Sequence, residues 1–88
     1  MIIINARRWF DKTWGNTYHS VSVKKDGVHI GSVDFAYGYD RQYLQTAHKI
    51  LADAGLEPED YNLFLQNMME NREYYHEFAS DVGRKKDL

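Results

Sequence analysis

The residues of this 88-residue chain that could carry acid–base or metal chemistry near neutral pH are its four histidines. Their spacing does not gather them. His19 and His29 fall on opposite faces of a predicted sheet, while His48 and His76 fall on separate predicted helices. Glu73 and His76 stand three apart, a helical spacing that could share a cation, but that arrangement takes matching ligands from a second helix. Ser20 and Ser22 lie beside His19, yet neighbours on a strand point to alternating faces and make a poor nucleophile–base pair. Asp34 reads as a polar residue on the outer face of the sheet. There is no Walker glycine loop, no dinucleotide-binding fingerprint and no HExxH. With no cysteine, a disulfide scaffold, a thiolate zinc site and a cysteine nucleophile are excluded together. The expectation is a protein without catalytic residues, metal or cofactor.

Binding chemistry is better represented. The segment RRWFDKTW interleaves Arg7, Arg8 and Lys12 with Trp9, Phe10 and Trp14, the ingredients of backbone contact and base stacking, and Lys24 and Lys25 add charge at a predicted turn. A second group is acidic. Glu70, Glu73 and Glu77 accompany Met69 and Tyr74, side chains that suit an interface anchor. Tyr61, Met68 and Tyr75 instead share the predicted buried stripe. A third group sits in FAYGYDRQYLQTA, where Gly38 frees the chain to turn, Phe35 and Tyr43 read as core, and Tyr37 lies near the end of the apolar face. Tyr39 and Arg41 remain at this corner as candidate contacts.

The elements that must position these groups begin with three strands. Met1 to Arg8 opens with β-branched Ile2, Ile3 and Ile4; Trp9 to Asn16 reads as a loop or a strand ending at Gly15-Asn16. Next, 17-TYHSVSVKK-25 and 28-VHIGSVDFAY-37 flank Asp26-Gly27, a strong signal for a type I′ hairpin. That turn sets Lys25 against Val28 and Val23 against Ile30. A bulge at Gly31 or Ser32 then keeps the apolar face continuous, pairing Val21 with Val33, His19 with Phe35 and Thr17 with Tyr37. Val21, Val23, Ile30, Val33 and Phe35 form the predicted core face; Tyr18, Ser20, Ser22, Ser32 and Asp34 point away, so the sheet should be covered on one side.

Asp40 reads as the N-cap of a helix carrying Tyr43, Leu44, Ala47, Ile50, Leu51 and Ala54 inward. Gly55 and Leu56 supply a Schellman ending. Pro58 starts a second helix, with Tyr61, Phe64, Leu65 and Met68 as its apolar face. The stripe weakens at Glu70-Asn71-Arg72 and resumes with Tyr75, Phe78, Ala79 and Val82. That pattern fits a break near Asn71 with a third helix, or one helix over 58–82. The fold class is therefore α+β: a three-stranded antiparallel sheet followed by two or three helices packed on one face. The chain reads as a single domain over 1–88, with the sheet over about 1–38, the helical part over about 40–83 and a short basic tail at 84–88.

The net charge of −2 hides a polarity. Residues 1–50 hold seven basic and four acidic side chains, and residues 51–88 hold four basic and nine acidic. Such an acidic helical region suits a basic partner surface. The apolar run Ile2–Ile4 is far shorter than the roughly 7 residues of a signal peptide or roughly 18 of a membrane span, so a cytoplasmic protein is expected.

The strands and helix over about residues 14–54, resting on TYHSVSVKKDGVHIGSVDF, resemble the DNA-binding modules of the AP2 and integrase-arm type, whose sheet enters the major groove. The outward positions here are Ser20, Ser22, Ser32 and Asp34, where that resemblance requires Arg or Lys. The NTYHSV strand, the Asp-Gly hairpin and AYGYDRQYLQTA in so short a chain also resemble small proteins of phages and mobile elements, including anti-CRISPR and other anti-defence inhibitors. That resemblance implies a non-enzymatic inhibitor in the host cytoplasm that binds a host protein complex; it carries over no residue, and the acidic group read from composition, Met69, Glu70, Glu73, Tyr74 and Glu77, is the surface expected to cover a basic, nucleic-acid-binding face of that complex. The alternative is a small DNA- or RNA-binding protein using Arg7, Arg8, Trp9, Lys12, Trp14, Lys24 and Lys25. A homodimer through an exposed strand edge is a further expectation.

Overall fold

A computed structural model describes residues 1–88. The strands β1 (Ile2–Asp11), β2 (Asn16–Lys25) and β3 (Val28–Tyr37) are followed by helices α1 (Tyr43–Asp53) and α2 (Tyr61–Glu70) and by a fourth strand, β4 (Tyr75–Val82). The sheet runs β3-β2-β1-β4, antiparallel except that β4 lies parallel to β1. The class is α+β, as expected, with a mixed four-stranded sheet in place of a three-stranded antiparallel one.

The fourth strand corrects the reading of residues 75–82 as helix. Tyr75, Phe78, Ala79 and Val82 keep helical spacing, but the same segment is rich in strand-favouring Tyr, Phe and Val. Tertiary context decides between them. Without β4, one whole edge of β1 would be bare beside the buried side chains of Ile2, Ile4 and Ala6. The break at Asn71 is real: Asn71 caps α2, its backbone N–H and Nδ2 both donating to the Asn67 carbonyl at 3.0 Å. The helical part therefore ends at residue 70.

β1 also continues through Trp9 and Phe10 to Asp11, where a loop was one of two expectations. In the β2–β3 hairpin, Asp26 and Gly27 both take positive φ, as a type I′ turn requires. Lys25 pairs with Val28 and Val21 with Val33, as expected. The bulge lies at Ile30–Gly31, so Val23 meets Gly31 instead of Ile30. Gly31 matters there because a Cβ would stand 2.8 Å from the Ile50 Cγ2 of α1. A second register shift, between His19 and Val21, was not foreseen; it pairs His19 with Ala36 and Tyr18 with Tyr37. That shift turns Phe35 and Tyr37 out of the core face, leaving them 45% and 64% exposed.

Both helices pack on one face, over a single cluster containing Ile2, Ile4, Ala6, Val21, Val23, Tyr43, Leu44, Ala47, Leu51, Phe64 and Met68. α1 starts at Tyr43, and Gln42, not Asp40, occupies its cap position without a side-chain cap bond. Asp40 instead adopts φ +55, a conformation that Asp tolerates in turns. The Schellman ending forms as expected: Leu56 N–H donates to the Leu51 carbonyl at 2.9 Å and Gly55 N–H to Ala52 at 3.0 Å. α2 begins three residues after Pro58, capped by Asp60, whose Oδ1 accepts from the Asn62 and Leu63 N–H groups at 2.9 and 3.3 Å.

Candidate interaction surface on the helix-free sheet face

Because directly paired residues share a face, the sheet register fixes what the uncovered side presents. Trp9, Tyr18 and Tyr37 form one row. Asn5, Ser22, Ser32 and Phe78 form another, and Arg7, Ser20 and Ser80 lie between them. Ile3, Lys24, His29 and His76 make the row at the opposite end.

The aromatic row is a connected cluster. Tyr18 stacks on Trp9 at 5.9 Å and on Phe35 at 4.6 Å between ring centroids, and Tyr37 tilts against Tyr18 at 5.7 Å. Residues 84–88 turn back over this face. Lys85 Nζ stands 4.9 Å from the Phe35 ring centroid, and Arg7 Nη1 donates to the Asp87 carbonyl at 3.0 Å. Over the Asn5 and Arg7 rows, against Leu88 of the tail, lies a shallow hollow of about 510 Å³, lined by Asn5, Arg7, Ser20, Ser22, Asp34 and Phe78 among others. Aromatic rings, hydroxyl groups and the cations Arg7, Lys24 and Lys85 thus share a surface with the acids Asp34 and Asp87.

The basic and aromatic residues singled out from sequence divide between two sides. Arg7, Trp9 and Lys24 lie on the helix-free face. Arg8 points the other way, where its Nε pairs with Asp81 Oδ1 at 2.9 Å and its Nη1 donates to the Asp40 carbonyl at 3.0 Å. Lys12 and Trp14 occupy the β1–β2 turn, two rungs beyond the aromatic row, and Trp14 is 77% exposed. Lys25 lies at the hairpin end, opposite Ile2 and Val28.

The acidic group is also divided. Met69, Glu70, Glu73 and Tyr74 converge at the α2–β4 turn, around Arg72. Glu77 does not join them as part of a helical face. It sits on β4 toward the helices, paired with Arg41 and accepting from the Tyr43 hydroxyl at 2.5 Å. The Glu77 hydrogen bond pushes the Arg41 pKa up, and burial followed by the Glu77 bond pushes that of Tyr43 up. Arg41 therefore has a structural partner, while Tyr39 is exposed beside it. Nearby, Tyr75 donates to Glu57 Oε2 at 2.8 Å, and burial is the main cause of its raised pKa.

Sequence reasoning missed Phe35, Tyr37, Phe78 and Lys85 as surface groups. Tyr18 was placed on the correct face but not singled out. One signal was present: Trp9 and Tyr18 lie on the same side of the β1–β2 pair once β1 is extended past Arg8.

No three His, Asp or Glu side chains come close enough to hold a metal ion. His76 meets Glu73 only through the Glu73 backbone carbonyl, at 3.2 Å. No helix is long and apolar enough to cross a membrane. No protein-family model, curated protein or solved structure matches this chain.

Proposed function

We propose that this chain is a non-enzymatic binding protein that takes single-stranded nucleic acid on the helix-free face of its sheet. One observation carries the reading: Trp9, Tyr18, Phe35 and Tyr37 cluster on the sheet face that no helix covers, with Arg7 and Lys85 of the returning tail beside them. Unpaired bases offer flat faces to such rings, and guanidinium and ammonium groups track the phosphates. A duplex hides those faces, and three cations on this side are few for reading it by charge alone. The hydroxyls of Ser20, Ser22 and Ser32 add donors and acceptors.

The test is fluorescence anisotropy with labelled single-stranded DNA and RNA of about 12 nucleotides, within the footprint range of small sheet-based binders. Binding at low salt should weaken with added salt at a slope of about −2 in log–log terms, from about three phosphate contacts. Absence of any complex at low salt would remove the reading.

A second reading has its own observation. The convergence of Met69, Glu70, Glu73 and Tyr74 at one turn around Arg72 gives a compact surface of net negative charge with apolar anchors, suited to covering a basic groove on a protein such as a host-defence complex. Charge reversal at Glu70 and Glu73 should then abolish capture of that partner while leaving oligonucleotide binding intact. Unchanged capture by the doubly reversed protein would eliminate this surface.

A further inference from the structure

A sheet edge leaves backbone N–H and C=O groups for another chain, and this sheet has two edges, β3 and β4. They are not equivalent. β3 is interrupted by two register shifts, and bulges twist an edge away from flat pairing. β4 follows β1 over eight consecutive positions without a shift and contains no proline. Four consecutive residues of its eight, Phe78 to Asp81, are exposed. After Val82 the chain turns inward across the sheet toward Phe35 and Arg7, and no strand pairs with the outer side of β4. Its two acids, which would otherwise repel an incoming strand, are neutralised from within: Glu77 by Arg41 and Asp81 by Arg8.

We propose that a second copy of this chain pairs with β4, antiparallel, about a two-fold axis at Phe78. Self-pairing constrains the register. With the axis perpendicular to the sheet, opposed residues share a face, so one residue must oppose its own copy. Centred on Glu77, the register sets two carboxylates face to face. Centred on Ala79, it sets Glu77 against Asp81 twice. Centres at His76 or Ser80 shorten the ladder. Centred on Phe78, it pairs Glu77 with Ala79, His76 with Ser80 and Tyr75 with Asp81, opposes no like charges, and joins two half-exposed Phe78 rings on the helix-free face. The product is one continuous sheet with both aromatic rows on the same side.

The test is the mass in solution by light scattering, from micromolar to millimolar concentration and without nucleic acid, so that its failure and that of the binding reading are separable. The mass should rise from 10.4 kDa toward twice that value. Phe78→Lys, which opposes like charges at the axis, should remain monomeric with an unchanged circular dichroism spectrum. Because the chain has no cysteine, Phe78→Cys reports the register: directly opposed antiparallel residues lie within disulfide range, and mild oxidation should give a covalent dimer. Phe10→Cys, exposed at the far end of β1, should not. A wild type that stays monomeric throughout, a Phe78→Lys variant that still dimerises, or equal cross-linking at both positions would overturn the proposal.

Discussion

Tyr18 and Phe35 lie ring on ring, 4.6 Å between centroids and 17° from parallel, on the side of the sheet that no helix covers. The pair exists because the second register shift in β3 turns Phe35 away from the helices. Stacking between exposed rings is worth about 0.5–1.5 kcal/mol, small beside the burial of Phe64 or Ile4. Its larger consequence is a preformed aromatic shelf. Phe35→Ala should lower stability by about 1–3 kcal/mol in urea unfolding, the lost stacking added to the lost burial of a half-exposed ring. In anisotropy titrations it should weaken single-strand binding roughly tenfold, as the loss of one stacked base would.

His19 is buried between two partners. The Gly38 carbonyl can only accept, so Nδ1 donates to it at 3.2 Å, and Nε2 accepts from the Thr46 hydroxyl at 2.7 Å. Burial lowers the His19 pKa below 6.5, with the Gly38 bond opposing in part. Below pH 6.5 the unfolded chain therefore binds more protons than the folded one. The stabilising contribution is complete above 6.5 and is lost as the pH falls toward and through the lowered value. Urea unfolding at pH 7.5 and 5.5 should show the lower stability at 5.5, and His19→Gln should shrink that difference.

Gly38 stands where β3 gives way to the turn before α1, at φ +151. A Cβ there would meet Gln42 Oε1 at 2.5 Å, Gln42 Cβ at 2.9 Å and His19 Cε1 at 3.2 Å. Gly38→Ala should cost about 1–3 kcal/mol from backbone strain and displacement of the His19 ring. Gly83→Ala, with nothing within 4 Å, is the control and should leave Tm nearly unchanged.

Among Glu70, Glu73 and Glu77, the last should be structurally distinct. Glu77→Ala leaves the half-buried Tyr43 hydroxyl without its acceptor and frees Arg41, costing about 1–3 kcal/mol. Glu73→Ala, exposed at the turn, should fall within about 0.5 kcal/mol of wild type. Equal losses in thermal unfolding for the two variants would contradict a structural role for Glu77 that the turn residue Glu73 lacks.

The local signals were legible because they are properties of a few adjacent residues. Asp26-Gly27, the Gly55-Leu56 ending and the break at Asn71 each depend on φ preferences or caps within one turn of chain. The β4 strand was not legible, since Tyr75, Phe78, Ala79 and Val82 satisfy helical spacing and only the bare edge of β1 selects the extended form. The same holds for the surface. Arg7 and Trp9 were found from composition, whereas Phe35 and Tyr37 reach the shelf through a bulge that no turn residue announces. Glu77 looked like a member of an acidic helix until β4 placed it beside Arg41 and Tyr43.

The parallel pairing of β1 with β4 also sets the order in which the chain can finish folding. Arg8 and Asp81 meet across 73 positions, so the hairpins and helices, whose contacts are local, can form before that loop is closed. During synthesis, the first strand therefore waits with one side unpaired until the segment through Val82 has emerged. A chain arrested earlier than that would carry Ile2, Ile4 and Ala6 on an open strand edge, and recognition by chaperones or aggregation should begin there.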